Sequence, residues 1–195
     1  VEIRLEFWGL SLETLKIEHI NLRSIKMSDK PDVLVRELTD SYILITGGTS
    51  GIGFASAREF AKNGAPKIAI NGRHEGRGKA AIEALEKEFP GQLFSLHLAD
   101  VTDASGVKSM VADVESKFGR IDTLVSAAGG NFPPVLFHKL PIDEIQDVFD
   151  GFALGAMLCA SAVIPGMAAQ NGGTIISVGS DAGKVPTPGE TVIGA

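Results

Sequence analysis

An α/β fold with a doubly wound parallel sheet is predicted for this chain by three observations. From residue 41 onward, short apolar runs (SYILIT, KIAIN, LFSLHL, DTLVSA and TIISVG) alternate with longer segments of helical periodicity. Strands separated by helices at this spacing pair in parallel, because each crossover carries the chain back along the sheet. A glycine cluster, ITGGTSGIG at 45–53, falls at the first strand-to-helix turn, where such sheets bind anions. Finally, 195 residues with 44% hydrophobic and 22% charged side chains suffice for one substantial core but not for two large domains.

Residues 1–40 read as an N-terminal extension. VEIRLEFWGL begins with alternation and LSLETLKIEHI can be drawn as an amphipathic helix, yet neither pattern is long enough to decide. Met27 before SDKP resembles an ordinary start, which leaves residues 1–26 either native or an upstream addition.

Residues 41–195 form the sheet domain. SYILIT is followed by the helix GIGFASAREFAKNG, KIAIN by GRGKAAIEALEKEF, and LFSLHL by ASGVKSMVADVESKFG. DTLVSA leads into the long segment PIDEIQDVFDGFALGAMLCASAVIPGMAA, and TIISVG is the fifth strand. Gly47, Gly51 and Gly53 permit a tight turn and close helix packing, so the first helix opens near Gly51 with free N–H groups aimed at the turn. The spacing is G-x-x-x-G-x-G rather than the G-x-G-x-x-G of the dinucleotide fingerprint. A purely structural turn would use the same residues.

A net charge of −6 with no basic block argues against nucleic acid or an anionic membrane surface as partner and favours a small molecule. The single cysteine, Cys159, lies in an apolar stretch, permits no disulfide within the chain, and fits a reducing, cytoplasmic setting. No strictly apolar run reaches the ~18 residues of a membrane span, so none is expected. His19, His74, His97 and His138 lack metal-ligand spacing, and no metal is expected.

TGGTSGIG at the first turn, with LADVTD after the third strand, resembles the short-chain dehydrogenase/reductase superfamily from about residue 40 to the end. The resemblance implies a Rossmann-type sheet of strand order 3-2-1-4-5 and a nicotinamide cofactor. Gly47, Thr49, Ser50, Gly51, Ile52 and Gly53 would then surround the phosphates, with Asp100 and Val101 beside the adenine. Ala128 and Gly129 in SAAG match the motif that touches the adenosine ribose, although Ser126 stands where asparagine is usual. The second strand ends Asn71-Gly72-Arg73, without the carboxylate that holds a free ribose 2′-hydroxyl. Arg73 is placed to pair with a 2′-phosphate through charge-assisted hydrogen bonds worth about 1.5–3 kcal/mol. NADP is therefore expected ahead of NAD; a solvated arginine beside His74, Glu75 and Arg77 is the alternative.

Members of the superfamily usually manage the proton with a serine, a tyrosine thirteen positions later, a lysine four beyond that, and an asparagine in the long helix. ISVGSDAG puts the serine at Ser180, but Ile193 occupies the tyrosine position, Phe152 the asparagine position, and the one tyrosine is Tyr42. The lysine position lies beyond Ala195. Losing a positioned proton donor costs roughly 10²–10⁴-fold in rate, so ordinary ketone reduction by this chain alone is not expected.

LVSAAGGNFPP at 124–134 resembles the dienoyl-CoA reductase branch, which lacks the tyrosine at that position and reduces conjugated enoyl thioesters with NADPH. That likeness implies Asn131 as a donor to the thioester oxygen; a turn cap before Pro133 and Pro134 is the competing reading. Phe132 and Phe137 suit an acyl chain or a loop cluster, while Asp150 reads as a solvated helix residue. Because the family continues past the matched region, further C-terminal strands are expected to be missing and the fifth strand to be an uncovered edge. The function expected is an NADP-dependent oxidoreductase of enoyl-thioester substrates such as an acyl-CoA, or of carbonyl substrates, a homo-oligomer at full length. The alternative is a catalytically silent cofactor-binding or dimer-partner protein.

Overall fold

The computed structural model describes residues 34–130 and 132–195. The chain divides into Val1–Asp32 and Val33–Ala195. All described residues belong to the second unit, and the readings made for residues 1–33 lie outside them.

Five parallel strands form one sheet in the order β3-β2-β1-β4-β5, the order that the family resemblance implies. They are β1 (Tyr42–Thr46), β2 (Lys67–Gly72), β3 (Leu93–Leu98), β4 (Thr123–Ser126) and β5 (Thr174–Ser177). The crossovers are α1 (Gly51–Lys62), α2 (Glu75–Glu88), α3 (Ala104–Phe118) and a long helix made of α4 (Glu144–Phe149), a π-helical turn (Asp150–Leu154) and α5 (Gly155–Ala169). The central strand β1 pairs Ile43 with Ile68 on one side and with Thr123 on the other.

Alternation along the strands divides the core in two. Leu44, Ala69 and Leu124 face α3 and α5, meeting Val107, Val111, Val114, Cys159 and Val163. Ile43, Ile45, Ile68 and Ile70 face the other way, onto Ala57 and Ala61 of α1 and Leu85 of α2. Two small alanines on α1 let that helix lie close to the branched side chains of β1 and β2. Burial on both faces explains why the central strands read as continuous apolar runs. Every residue of β5, by contrast, is exposed.

Helix α3 has clear boundaries. The Asp103 carboxylate accepts from the N–H groups of Ser105 at 3.0 Å and Gly106 at 3.1 Å, and Gly119 ends the helix in the left-handed region at φ 94°.

The long helix bears on the expectation that no segment spans a membrane. Glu144–Ala169, 26 residues, is long and apolar enough to cross a membrane by length and composition. Gly, Ser and Pro interrupt its apolar run without adding charge. In this fold it lies along the sheet, with Gly155, Cys159, Val163 and Met167 buried.

At the end of the sheet where the strands begin, Asp122 is 5% exposed. Its carboxylate accepts from Arg36 Nε at 2.9 Å, from Arg120 Nε at 2.8 Å and from the Tyr42 N–H at 2.9 Å. The Tyr42 ring lies beneath two cations, Lys67 Nζ at 4.1 Å and the Arg120 guanidinium at 3.9 Å from its centroid. This network holds the starts of β1 and β4 together. It also accounts for the single tyrosine, at the far end of β1 from the glycine turn.

Candidate functional site

All five strands end along one edge of the sheet, and the chain reverses direction of winding between β1 and β4. In open α/β sheets a crevice forms at that switch point. Here it is a cavity of about 650 Å³.

The glycine turn forms its floor. Gly47 has φ +65°, and a Cβ there would lie 2.7 Å from the Ala127 carbonyl oxygen and 2.8 Å from the Ala128 nitrogen. The Thr46 hydroxyl accepts from the Ala128 N–H at 3.2 Å, joining the turn to the end of β4. Gly53 sits directly beneath, against the Gly47 carbonyl. Ser50 precedes α1 with extended backbone and gives its helix no side-chain cap, so the first N–H groups are left to the crevice. A Cβ on Gly72 would lie 2.6 Å from the Thr49 methyl carbon, so the turn also packs against the end of β2.

The second wall follows β2 and β3. Asn71 is buried, and its amide donates to the carbonyls of His97 at 3.2 Å and Ala99 at 3.0 Å, fixing the spacing of the two strand ends. Asp100 accepts from the Thr102 N–H at 3.0 Å and from the Thr102 hydroxyl at 2.8 Å. Those bonds, with the Arg73 guanidinium, hold its carboxyl below the usual carboxylate range. Arg73 Nη1 lies 3.5 Å from Asp100 Oδ2, both side chains being largely solvated. His74 and Arg77 line the same wall.

The third wall sets the Phe132 ring beside Asp147, Asp150 and Gly151 of the long helix, with Phe152 packed behind. The Phe132 and Phe152 rings meet with centroids 6.0 Å apart. Phe152 lies over Gly129, where a Cβ would be 3.4 Å from its ring, and Phe132 lies against Gly130 and Gly151. The π-helical turn widens the helix at this point, a distortion common at functional sites. Asp150, read from the sequence as a solvated helix residue, lines the cavity instead, because it opens that turn. Its Oδ1 accepts from Gln146 Nε2 at 2.7 Å.

The cavity brings together Gly47, Thr49, Ser50, Gly51, Ile52, Arg73, Asp100, Val101, Ala128 and Gly129. Gly53 supports the turn from behind. Ser180 does not line the cavity: it is exposed and caps the short helix Asp181–Gly183, its hydroxyl accepting from the Ala182 N–H at 3.2 Å. Asn131 lies outside the described residues. Ile193 joins Phe132, Phe137, Leu140 and Val148 around a small apolar gap. Sequence reasoning missed Asn71, Asp147 and Gly151, which also line or shape the crevice; a polar side chain at the end of a buried strand was the available signal for Asn71. Cys159 is buried away from it, its thiol pushed up to about 11 by desolvation. Among the described residues no group of three or more His, Cys, Asp or Glu is placed to hold a metal.

Comparison with known proteins fits this geometry. An NADP-dependent 3-hydroxy acid dehydrogenase YdfG of Salmonella typhi is 34% identical over 153 residues, 78% of this chain and 59% of that protein. A 3alpha-hydroxysteroid dehydrogenase of Mediterraneibacter gnavus is 30% identical over 143 residues, 73% of this chain and 56% of the relative. Among solved structures, levodione reductase superposes with a TM-score of 0.77 at 26% identity, covering 81% of this chain and 61% of that one. NAD+-bound xylitol dehydrogenase gives 0.76 at 27% identity, covering 82% and 60%. The chain thus spans about three-fifths of the length of the relatives it matches. With the short chain dehydrogenase family model matching residues 41–195, the chain belongs to the short-chain dehydrogenase/reductase family.

Proposed function

We propose that residues 41–195 bind NADP(H) across the C-terminal edge of the sheet, as the coenzyme-binding part of an oxidoreductase acting on a small molecule. The observation that carries this reading is the wall after β2: Arg73, His74 and Arg77 line the same cavity as the Gly47 turn, and no carboxylate stands at the strand end. The residues fit the coenzyme: Gly47 and Gly51 both line the cavity at positive φ, and without side chains they leave the backbone open to the close approach a diphosphate needs. When bound, the coenzyme would supply hydride chemistry. The N–H groups opening α1 would hold its diphosphate. Arg73 would exchange Asp100 for the 2′-phosphate, a stronger and more highly charged acceptor. Asp100 and Val101 would flank the adenine, and the backbone of Ala128 and Gly129 the ribose. Phe132, backed by the Phe152 ring, would keep water from the reacting end.

For the substrate, the named relatives favour a hydroxyl or carbonyl compound. A second reading, reduction of an enoyl thioester with Asn131 donating to the thioester oxygen, draws on one observation: Ile193, at the usual tyrosine position, turns into an apolar cluster and presents no proton donor. A silent coenzyme-binding partner is the remaining alternative. We place the protein in a reducing compartment, with a second copy of itself as partner, which Met157 and Ile164, exposed on α5, would suit.

Calorimetric titration with NADPH and NADH tests the proposal. NADPH is expected to bind at least about tenfold more tightly, as one additional charge-assisted contact requires. Equal affinities would remove the role of Arg73, and no heat with either would remove the coenzyme site.

A further inference from the structure

Three polar side chains outside the crevice stand in a line at the open edge of the sheet. Ser95 and His97 alternate with Phe94 and Leu96 along β3, so both project from the face covered by α3. They are 7% and 4% exposed. Ser95 Oγ lies 2.8 Å from His97 Nε2, and His97 Nδ1 lies 2.9 Å from Oδ2 of Asp113 on α3.

Chemistry assigns the protons. A carboxylate only accepts, so Nδ1 carries the hydrogen; Nε2 then offers its lone pair, and the serine hydroxyl donates to it. Burial lowers the imidazole pKa, opposed by Asp113 and assisted by Lys117. The ring is therefore neutral near pH 7 and free to accept a proton. A hydroxyl, a base and an orienting carboxylate in this sequence are the components of acyl transfer.

Two further features favour chemistry over a buried hydrogen-bond chain. The Leu93 N–H donates to the Pro66 carbonyl at 2.9 Å, and the Ala99 N–H to the Gly72 carbonyl at 3.4 Å. Odd-numbered residues therefore direct their amides toward β2, and the Leu96 N–H is directed off the edge. As the amide following Ser95, it is the donor for an oxyanion formed there. In addition, a cavity of about 540 Å³ reaches Ser95 and Leu96; Ile82, Leu93, Phe94 and Phe118 give it apolar surface, Lys79, Glu83 and Lys117 complete the lining, and His97 stands behind Ser95 rather than in the wall. None of its lining residues belongs to the coenzyme crevice.

We propose that Ser95, His97 and Asp113 form a second catalytic site, separate from the coenzyme crevice, that hydrolyses esters of short apolar acyl groups. Ser95 Oγ attacks the acyl carbonyl carbon as His97 Nε2 takes the hydroxyl proton; the bond from that carbon to the alcohol oxygen breaks, and the alcohol leaves with the proton. Water then attacks the acyl-serine and gives a proton to His97. The carboxylic acid departs and Ser95 recovers its hydrogen. Ester and water become acid and alcohol with no change of oxidation state. Asp113 touches neither reactant and acts as a positioning residue. Ser95 is only 7% exposed, which favours short acyl groups.

The test uses the full chain with p-nitrophenyl acetate and p-nitrophenyl butyrate, and with a fluorophosphonate followed by peptide mapping. The expected results are one adduct, on Ser95, and p-nitrophenolate release at least about tenfold above that of Ser95→Ala. His97→Gln should abolish both, while NADPH binding persists in each variant as a separate sign of folding. Asp113→Asn should slow acylation roughly 10²-fold or more by favouring the wrong tautomer, with rescue by Asp113→Glu. Saturating NADPH should give no protection. No adduct, an adduct on another residue, or equal rates in wild type and Ser95→Ala would overturn the proposal; mapping of the wild-type protein decides even if a variant misfolds.

Discussion

A side chain at Gly53 would collide with the carbonyl oxygen of Gly47. The first turn of α1 is seated directly on the glycine turn, and backbone rather than a movable side chain blocks the space. Gly53→Ala is therefore expected to cost about 1–3 kcal/mol through overpacking and to weaken coenzyme binding by displacing the N–H groups of the helix. Urea denaturation and calorimetric titration would measure the two effects.

The opposite outcome is expected at Gly76 in α2, where a Cβ would meet nothing within 4 Å. Gly76→Ala should stabilise by about 0.4–1 kcal/mol, chiefly by restricting the unfolded chain, with coenzyme affinity unchanged. A lowered urea midpoint would contradict the open space seen there.

Arg73→Ala should weaken NADPH binding roughly 10- to 100-fold, the equivalent of one charge-assisted contact, and leave NADH unaffected. Because Asp100 holds Arg73 in the structure, Asp100→Asn should shift the NADPH:NADH affinity ratio upward. Parallel titrations of both coenzymes check both statements.

Asp122 gathers Arg36, Arg120 and the Tyr42 N–H at the start of the sheet. Asp122→Ala leaves those donors with no carboxylate in a buried place, and a loss of about 3 kcal/mol is expected. Thermal unfolding would show it, with the coenzyme affinity of the surviving folded fraction preserved, since the network lies at the other end of the strands.

Asp103 and His97 both contribute to the acid side of the stability profile. Hydrogen bonds from Ser105 and Gly106 hold the Asp103 carboxyl below its ordinary 3.8. A depressed carboxyl contributes stability above that value and loses it as pH falls through the folded pKa. Asp103→Ala should therefore lower the thermal midpoint at neutral pH, and the difference from wild type should shrink in strong acid. His97 acts earlier. Its folded pKa lies below the ordinary 6.5, so the unfolded chain binds more protons between the two values and stability should begin to fall as pH drops below 6.5. Melting curves from pH 8 to 3 would separate the two steps.

Much of the fold was legible because its signals are local. The apolar runs of β1 and β2 and the glycines at 47, 51 and 53 each act within a few residues, so their order along the chain already specifies strand and turn. Strand order followed from the family resemblance. The crevice residues were legible in the same way, since they cluster in the short turns that follow successive strands.

The sequence by itself determined where the strands end and where glycine is required, since steric limits on φ and the period of side-chain alternation need no distant partner. Only the tertiary structure decided that the π-helical turn brings Asp150 and Gly151 to the crevice beside Phe132, and that Asp113 of α3 meets His97 of β3. Those arrangements depend on how helices settle on the sheet. Packing energy is shared among many side chains, so no single stretch of sequence carries its signature.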